Sequence, residues 1–261
     1  MAAEMKMDDN LRDRVNREKA AYDVGDVWEK CHRLHSRFWH VSWCPNSLFG
    51  EACFWQIVDG NVPGRIVLDC GCYNGTITEE LLSRHPQKVV GIDISKRAIA
   101  EAKTRFGSRA EFRVMDAHRM EFPDDSFDFV VGRAILHHLD YEIAIREIRR
   151  VLKPGGRALF MEPLRDNPAA KLFRFLTPRA HTKDELPLSR HQILWADRVM
   201  GAGDHMFVNL FSVPVGMLTS LFIKLPDNFF TRAADRVDRW VASRQIRYWM
   251  RQVILVWRKA G

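Results

Sequence analysis

The sequence predicts an α/β protein: a seven-stranded, mostly parallel sheet with helices on both faces. Three observations predict it. Apolar, strand-like runs alternate with amphipathic, helix-like segments through the middle of the chain, the pattern of successive β-α units. The run Ile66-Val67-Leu68 breaks into a loop bearing Gly71 and Gly75 and then enters a helix. Finally, Asp69, Asp93 and Asp116 follow one another at spacings of 24 and 23 residues, each at the end of a strand-like run. In a parallel sheet such ends share one rim, where ligands bind.

The elements follow in order. Val89 to Asp93 reads as a second buried strand, with Ser95 as N-cap of a helix that turns Ile99, Ala102 and Phe106 to one side and stops at Gly107. Phe112 to Asp116 is a third strand, and Phe127 to Val131 a fourth, entered through the turn Pro123-Asp124-Asp125-Ser126. Tyr141 to Leu152 is a helix with Ile145, Ile148 and Leu152 inward, and Arg157 to Met161 a fifth strand. His205 to Phe211 and Tyr248 to Trp257 read as the last two strands. Thr76 and Glu79 have capping-box spacing, which predicts a helix start whose free amides and dipole face the loop. Residues 1–61, rich in aromatics such as Trp28, Trp39 and Trp43, read as a helical cap or lid on a domain spanning 62–261. That domain carries a substrate-facing insertion at about 163–204 and a helical insertion at about 214–243.

Composition bounds the function. A chain of 261 residues, 46% hydrophobic and 28% charged, can bury a sizeable core and is ordinary for a globular protein. Five cysteines form no disulfide framework, and the N-terminus, with Glu4, Asp8, Asp9, Arg12 and Arg14, lacks the apolar core of a signal peptide. Both point to a reduced, cytoplasmic setting. The net charge of +7 gathers near one end, with nine Lys or Arg against three Asp from Lys224 onward. No zinc-finger, RNA-recognition or homeodomain pattern accompanies it, so nucleic acid is not an expected partner. Oligomeric state stays open.

Asp93 is placed to accept hydrogen bonds from both hydroxyls of an unphosphorylated ribose. A nicotinamide or flavin dinucleotide fits poorly, because its fingerprint needs G-x-G-x-x-G, whereas Tyr73 stands two residues after Gly71 and no third glycine follows at the required offset. At the same predicted rim, Glu162, His137 and His138 are candidate general bases, with Glu162 preferred because it follows a strand directly and precedes Pro163. Packing under the loop, with one ring solvated, is the plainer account of the two histidines. Arg133, Arg165, Arg174, Arg179 and Arg190, with His181 and His191, could grip an anionic group on a substrate, though most read as surface charge. Small apolar packing accounts for Cys70 and Cys72, and no metal-ligand spacing is present.

The loop resembles the D-x-G-x-G-x-G signature of class I S-adenosylmethionine (SAM)-dependent methyltransferases, with Asp69, Gly71 and Gly75 in register and Tyr73 in place of the middle glycine. Pro123 to Asp128, Leu136-His137-His138 and Leu152-Lys153-Pro154-Gly155-Gly156 extend the likeness over roughly residues 65–163, to the small-molecule branch that includes quinone and natural-product methyltransferases. The resemblance implies a Rossmann-like fold and SAM as cofactor. It implies cofactor contacts from Asp69, Gly71, Cys72, Tyr73, Gly75 and Asp93, and further ones from Ile94, Asp116, Ala117 and Arg133, with Asp116 at the adenine amino group. The implied reaction moves the sulfonium methyl to O, N or C of a small, hydrophobic and, if the arginines serve it, anionic acceptor. A second reading is a catalytically inactive, membrane-peripheral binding or scaffold protein, motivated by Tyr73.

Residues 206–223 form an uncharged run of 18, the lower limit for a membrane span. Asn209, Ser212, Pro214 and Gly216 interrupt it, so a strand followed by a helix from Pro214 is the better account. Phe230, Ala233, Val237, Trp240 and Val241 then recur at helical spacing beside Arg232, Arg236 and Arg239. Two outcomes stand open for residues 206–243: a helical insertion packed on the sheet, or a peripheral surface that meets an anionic bilayer.

Overall fold

The computed structural model describes residues 9–24, 38–168, 171, 186–201 and 203–260. Trp28, Arg174, Arg179 and His181 lie outside them. Strands β1 (Ile66–Cys70), β2 (Lys88–Asp93), β3 (Glu111–Val114), β4 (Phe127–Arg133), β5 (Leu152–Pro163), β6 (Met206–Val208) and β7 (Gln252–Arg258) form one sheet in the order β3-β2-β1-β4-β5-β7-β6. β1 to β5 pair in parallel, and β7 runs antiparallel to both β5 and β6. The strand order reverses beside β1, so the loops after β1 and β4 open the crevice where such sheets bind ligands.

Helices cover both faces because both faces are apolar. On one, α3 (Pro45–Asp59) lays Phe54 and Val58 onto Val67, Phe129, Val131 and Leu159, all of them buried. On the other, α6 (Tyr141–Val151) and α7 (Arg190–Met200) pack Ile145, Ile148, Ile193 and Ala196 against Val130, Ala158 and Leu255. Phe54 and Val58 belong to the sheet's own core, so the boundary expected near residue 61 separates no independent cap. α2 (His40–Trp43) and α1 (Asp9–Val24) precede α3.

Several boundaries differ from those read in the sequence. β5 starts at Leu152, which pairs with Phe127 of β4, and runs through Glu162 to Pro163, because β7 pairs it residue by residue from Arg157 to Pro163. β6 keeps only three residues, since Asn209 leaves the strand with φ +69° and its backbone N–H goes to Asn46 Oδ1 at 2.7 Å. α8 (Ser212–Phe222) therefore begins before Pro214. Ser95 caps α5 (Lys96–Phe106) as expected, its hydroxyl accepting from Ala98 N–H at 3.2 Å, and Gly107 ends it at φ +56°.

Candidate active site

The loop after β1 is stitched to β2. Gly71 and Cys72 N–H groups both donate to Ile92 C=O at 2.9 Å, and Tyr73 N–H donates to Asp93 Oδ2 at 2.9 Å. Asp93 Oδ1 accepts from Ser95 N–H at 2.8 Å, so one carboxylate joins the loops that follow β1 and β2. Gly71 and Gly75 both have positive φ, and a Cβ at either would collide with Ile135 or Phe106. Tyr73 also has positive φ, +50°, a conformation costly for a side-chain-bearing residue. Its phenol oxygen accepts from Arg97 Nη2 at 3.4 Å, on the α5 side of the loop.

The expected capping box is absent. Thr76 caps nothing; α4 (Thr78–Leu82) begins two residues later, behind turns in which Gly75 and Thr76 N–H groups donate to Cys72 C=O. Thr78 instead donates its hydroxyl to Asp69 Oδ2 at 2.9 Å. Burial raises the Asp69 carboxyl to about 7, with the Thr78 bond opposing the shift and the charge of Asp93 adding to it. The loop amides of Gly71, Cys72, Tyr73, Gly75 and Thr76 are thus spent within the protein, and α4 is only five residues long. A diphosphate needs such amides aimed at it. This loop suits a nucleoside without phosphates.

At the third strand end, Asp116 Oδ1 accepts from His118 N–H at 2.9 Å and from His118 Nδ1 at 2.6 Å. His118 Nε2 accepts from Asp140 N–H at 2.7 Å, which fixes the ring proton on Nδ1. Burial pushes the Asp116 carboxyl up, but the hydrogen bonds from His118 outweigh it and hold it below the ordinary range. Ile94 and Ala117 flank these two acids, half-buried and buried respectively.

The fourth and fifth strand ends depart most from expectation. Glu162 does not emerge at the rim; it is fully buried inside β5. Its Oε1 accepts from Ile135 and Leu136 N–H, both at 2.9 Å, and Oε2 meets His137 Nδ1 at 2.7 Å. Neither histidine is solvated. His137 is buried, and His138 stacks on it with its Nδ1 3.2 Å from a carboxylate oxygen of Glu18 of α1. Arg133 pairs with Glu51 of α3 and lies over the Phe54 ring, so it belongs to the α3 side of β4. Cys70 and Cys72 are buried in apolar packing, where desolvation pushes both thiols up.

A sheet ordered 3-2-1-4-5-7-6 with only strand 7 reversed, bearing acids after strands 1 to 3, meets an independent match: the methyltransferase-domain family covers residues 68–160. Those residues form a class I SAM-dependent methyltransferase domain. Among curated relatives, the 27-O-demethylrifamycin SV methyltransferase of Amycolatopsis mediterranei is 31% identical over 152 residues, 52% of this chain and 56% of the relative. The O-methyltransferase cnsE of Penicillium expansum is 32% identical over 111 residues, 40% of each chain. The chain thus spans about half of these relatives' length. Among solved structures, phosphoethanolamine N-methyltransferase 2 of Haemonchus contortus, bound to phosphomonomethylethanolamine and S-adenosylhomocysteine, superposes with a TM-score of 0.60 at 16% identity, covering 90% of this chain and 60% of that one.

Sequence reading missed three charged residues at this rim. Glu18 and Glu51 reach it from helices far away in the chain, and nothing local marks them. Arg251 is the third. Its N–H donates to Asn209 C=O at 2.7 Å and its C=O accepts from Leu164 N–H, so it stands where β5 ends and β7 begins. Desolvation lowers its pKa, and among the described residues no carboxylate lies within ion-pair distance. A charged residue directly before an apolar strand was the available signal.

Proposed function

We propose that this chain transfers the methyl group of SAM to a small, largely apolar acceptor bearing an anionic group. The observation that carries the reading is the Asp93 carboxylate, half-buried and fixed by Tyr73 and Ser95 N–H groups at the strand-order reversal, where a ribose would lie. Asp116 and the Ala117 backbone take the adenine edge, Ile94 flanks the ring, and the Asp69–Gly75 loop lines the amino-acid portion.

Bound SAM supplies a sulfonium methyl, which an aligned nucleophile captures as the thioether leaves. The protein's part is mainly positioning. Glu162, whose Oε1 already accepts two backbone N–H groups, accepts again at Oε2 from His137 Nδ1–H. It is a positioning residue: it fixes the β4–α6 loop and orients His137, which takes the acceptor's proton where the acceptor carries one. Arg251 binds the acceptor's anionic group, since a half-buried guanidinium lacking a carboxylate partner favours an incoming one.

Calorimetric titration with SAM and S-adenosylhomocysteine tests the reading. Both bind the wild-type chain, and Asp93→Ala weakens both by about tenfold or more. If neither ligand binds the wild type, the reading is wrong.

A further inference from the structure

The apolar stripe of α9 (Phe229–Val241) does not face the sheet. Its buried side consists of Thr231, Ala234, Asp238 and Val241, while Phe230, Val237 and Trp240 stand in solvent. At the preceding turn the exposure is greater: Phe222 is 84% exposed, Leu225 67% and Phe229 76%. Trp43 of α2, which packs beside α8, and Trp39 just before it are exposed as well.

This surface is rigidly mounted. Buried Asp238 of α9 accepts from Leu210, Phe211 and Ser212 N–H at 2.7–3.1 Å, capping the start of α8 from the neighbouring helix. Asp235 accepts from Asn46 of α3 at 2.8 Å, and His40 N–H donates to Ser220 Oγ at 3.1 Å. Five hydrogen bonds therefore hold an apolar face outward against the tendency of such a face to turn in.

We propose that the α8–α9 surface docks this protein on an anionic lipid bilayer. Shape and charge both favour a bilayer over a protein partner. The most exposed side chains flank the turn from α8 to α9, with Phe229 edge-on to Phe230, and a fluid acyl layer receives such projections without a matching socket. Tryptophans of α2 and α9 ring them, as amphipathic rings do at a membrane interface. The same helices and their flanks carry exposed cations with no carboxylate within ion-pair distance among the described residues: Lys224, Arg236 and Arg244. Lys224, Trp39, Ser220 and Phe222 line an open cleft of about 390 Å³, suited to a phosphate headgroup. Among the described residues no helix is long and apolar enough to cross a membrane, so the contact is peripheral. β6 is parallel to β1–β5, so α8 starts at the ligand rim and the docked face adjoins the site. The proposal does not depend on methyl transfer.

Flotation of the full chain with vesicles of phosphatidylcholine alone, or with equimolar phosphatidylglycerol, tests it. The wild type floats with the anionic vesicles at low salt and less at high salt. The double variant Phe222→Ser, Phe229→Ser lowers partitioning about tenfold or more, and Lys224→Gln with Arg236→Gln removes most of the salt dependence. Wild-type chain that stays unbound, or that binds both vesicle types equally, overturns the proposal. So does a wild-type dimer, seen by sedimentation equilibrium, that the Phe222/Phe229 variant dissolves while vesicles bind neither form. SAM titration of the same variants stays at the wild-type value, which shows that they fold. A wild type that floats yet binds no SAM refutes methyl transfer and leaves the docking intact.

Discussion

The two halves of the ligand rim are built by different means. At β1 to β3, each acid is anchored by backbone or side chains within about 22 residues: Asp93 by Tyr73 and Ser95, Asp116 by His118, Asp69 by Thr78. At β4 to β7 the anchors come from afar. Arg133 meets Glu51, 82 residues away, His138 meets Glu18, and Asn209 meets Asn46, 163 residues away. The first half buries Asp69 but leaves Asp93 and Asp116 half-buried at the rim. The second buries its carboxylate and leaves an arginine without one. Local anchoring lets a short motif specify the first half of the rim, whereas distant anchoring leaves no local signal for the second.

Breaking the second half at its centre has the largest effect. Glu162→Ala strands Ile135 and Leu136 N–H groups together with His137, so unfolding in denaturant should show a loss of about 3–5 kcal/mol. Glu162→Gln recovers part of it, because one amide oxygen still accepts. A Glu162→Ala protein as stable as wild type would remove Glu162 from its positioning role.

Next is Asp69, in the first half. Its carboxyl is raised to about 7, so at mildly acidic pH the folded chain keeps a proton that the unfolded chain has lost. The stability this contributes is complete below about pH 4 and lost as pH rises through about 7. Asp69→Asn cannot ionise and still accepts from Thr78. Relative to wild type, its Tm should therefore climb between about pH 5 and about pH 8, by the equivalent of up to about 3 kcal/mol. A flat difference across that range contradicts the assignment.

The sequence spoke clearly where structure is local. Ser95, Gly107, the inward row of α5 and the three acids could be read because cap, stop and spacing lie within one or two turns. The motif Pro123 to Asp128 also proves structural: Asp128 accepts from Ile66 N–H at 2.9 Å and from Lys153 at 2.9 Å, tying β1, β4 and β5 together. Glu162 was misplaced because nothing near it announces that β7 will pair through Pro163 and bury it. The outward turn of α9 was hidden for a related reason: helical periodicity shows that apolar residues share a face, but not what lies opposite. Asp238, a charged residue on the inward side, decides that.

Smaller effects sharpen the comparison. Arg251→Lys keeps the charge but loses the planar fork, so KM for an anionic acceptor should rise about tenfold with SAM affinity unchanged. Equal change in both constants would return Arg251 to a structural role. Smallest is Tyr73→Gly, which relieves a left-handed residue but frees the unfolded chain; stability should move by less than about 1 kcal/mol and SAM affinity by less than about threefold.

The position of β7 has a consequence for how the molecule comes into being. It is the last strand of this sheet to leave the ribosome, yet it lies inside the sheet, between β5 and β6. Before it arrives, β1 to β5 can pair in order of synthesis, while β6 has no strand to join and β5 presents an open edge. The cofactor half is therefore able to form first, and the acceptor half closes only when residues 252–258 are threaded into place. A nascent or clipped chain lacking them would display that unpaired edge beside the exposed aromatics of α8 and α9, a combination that invites aggregation.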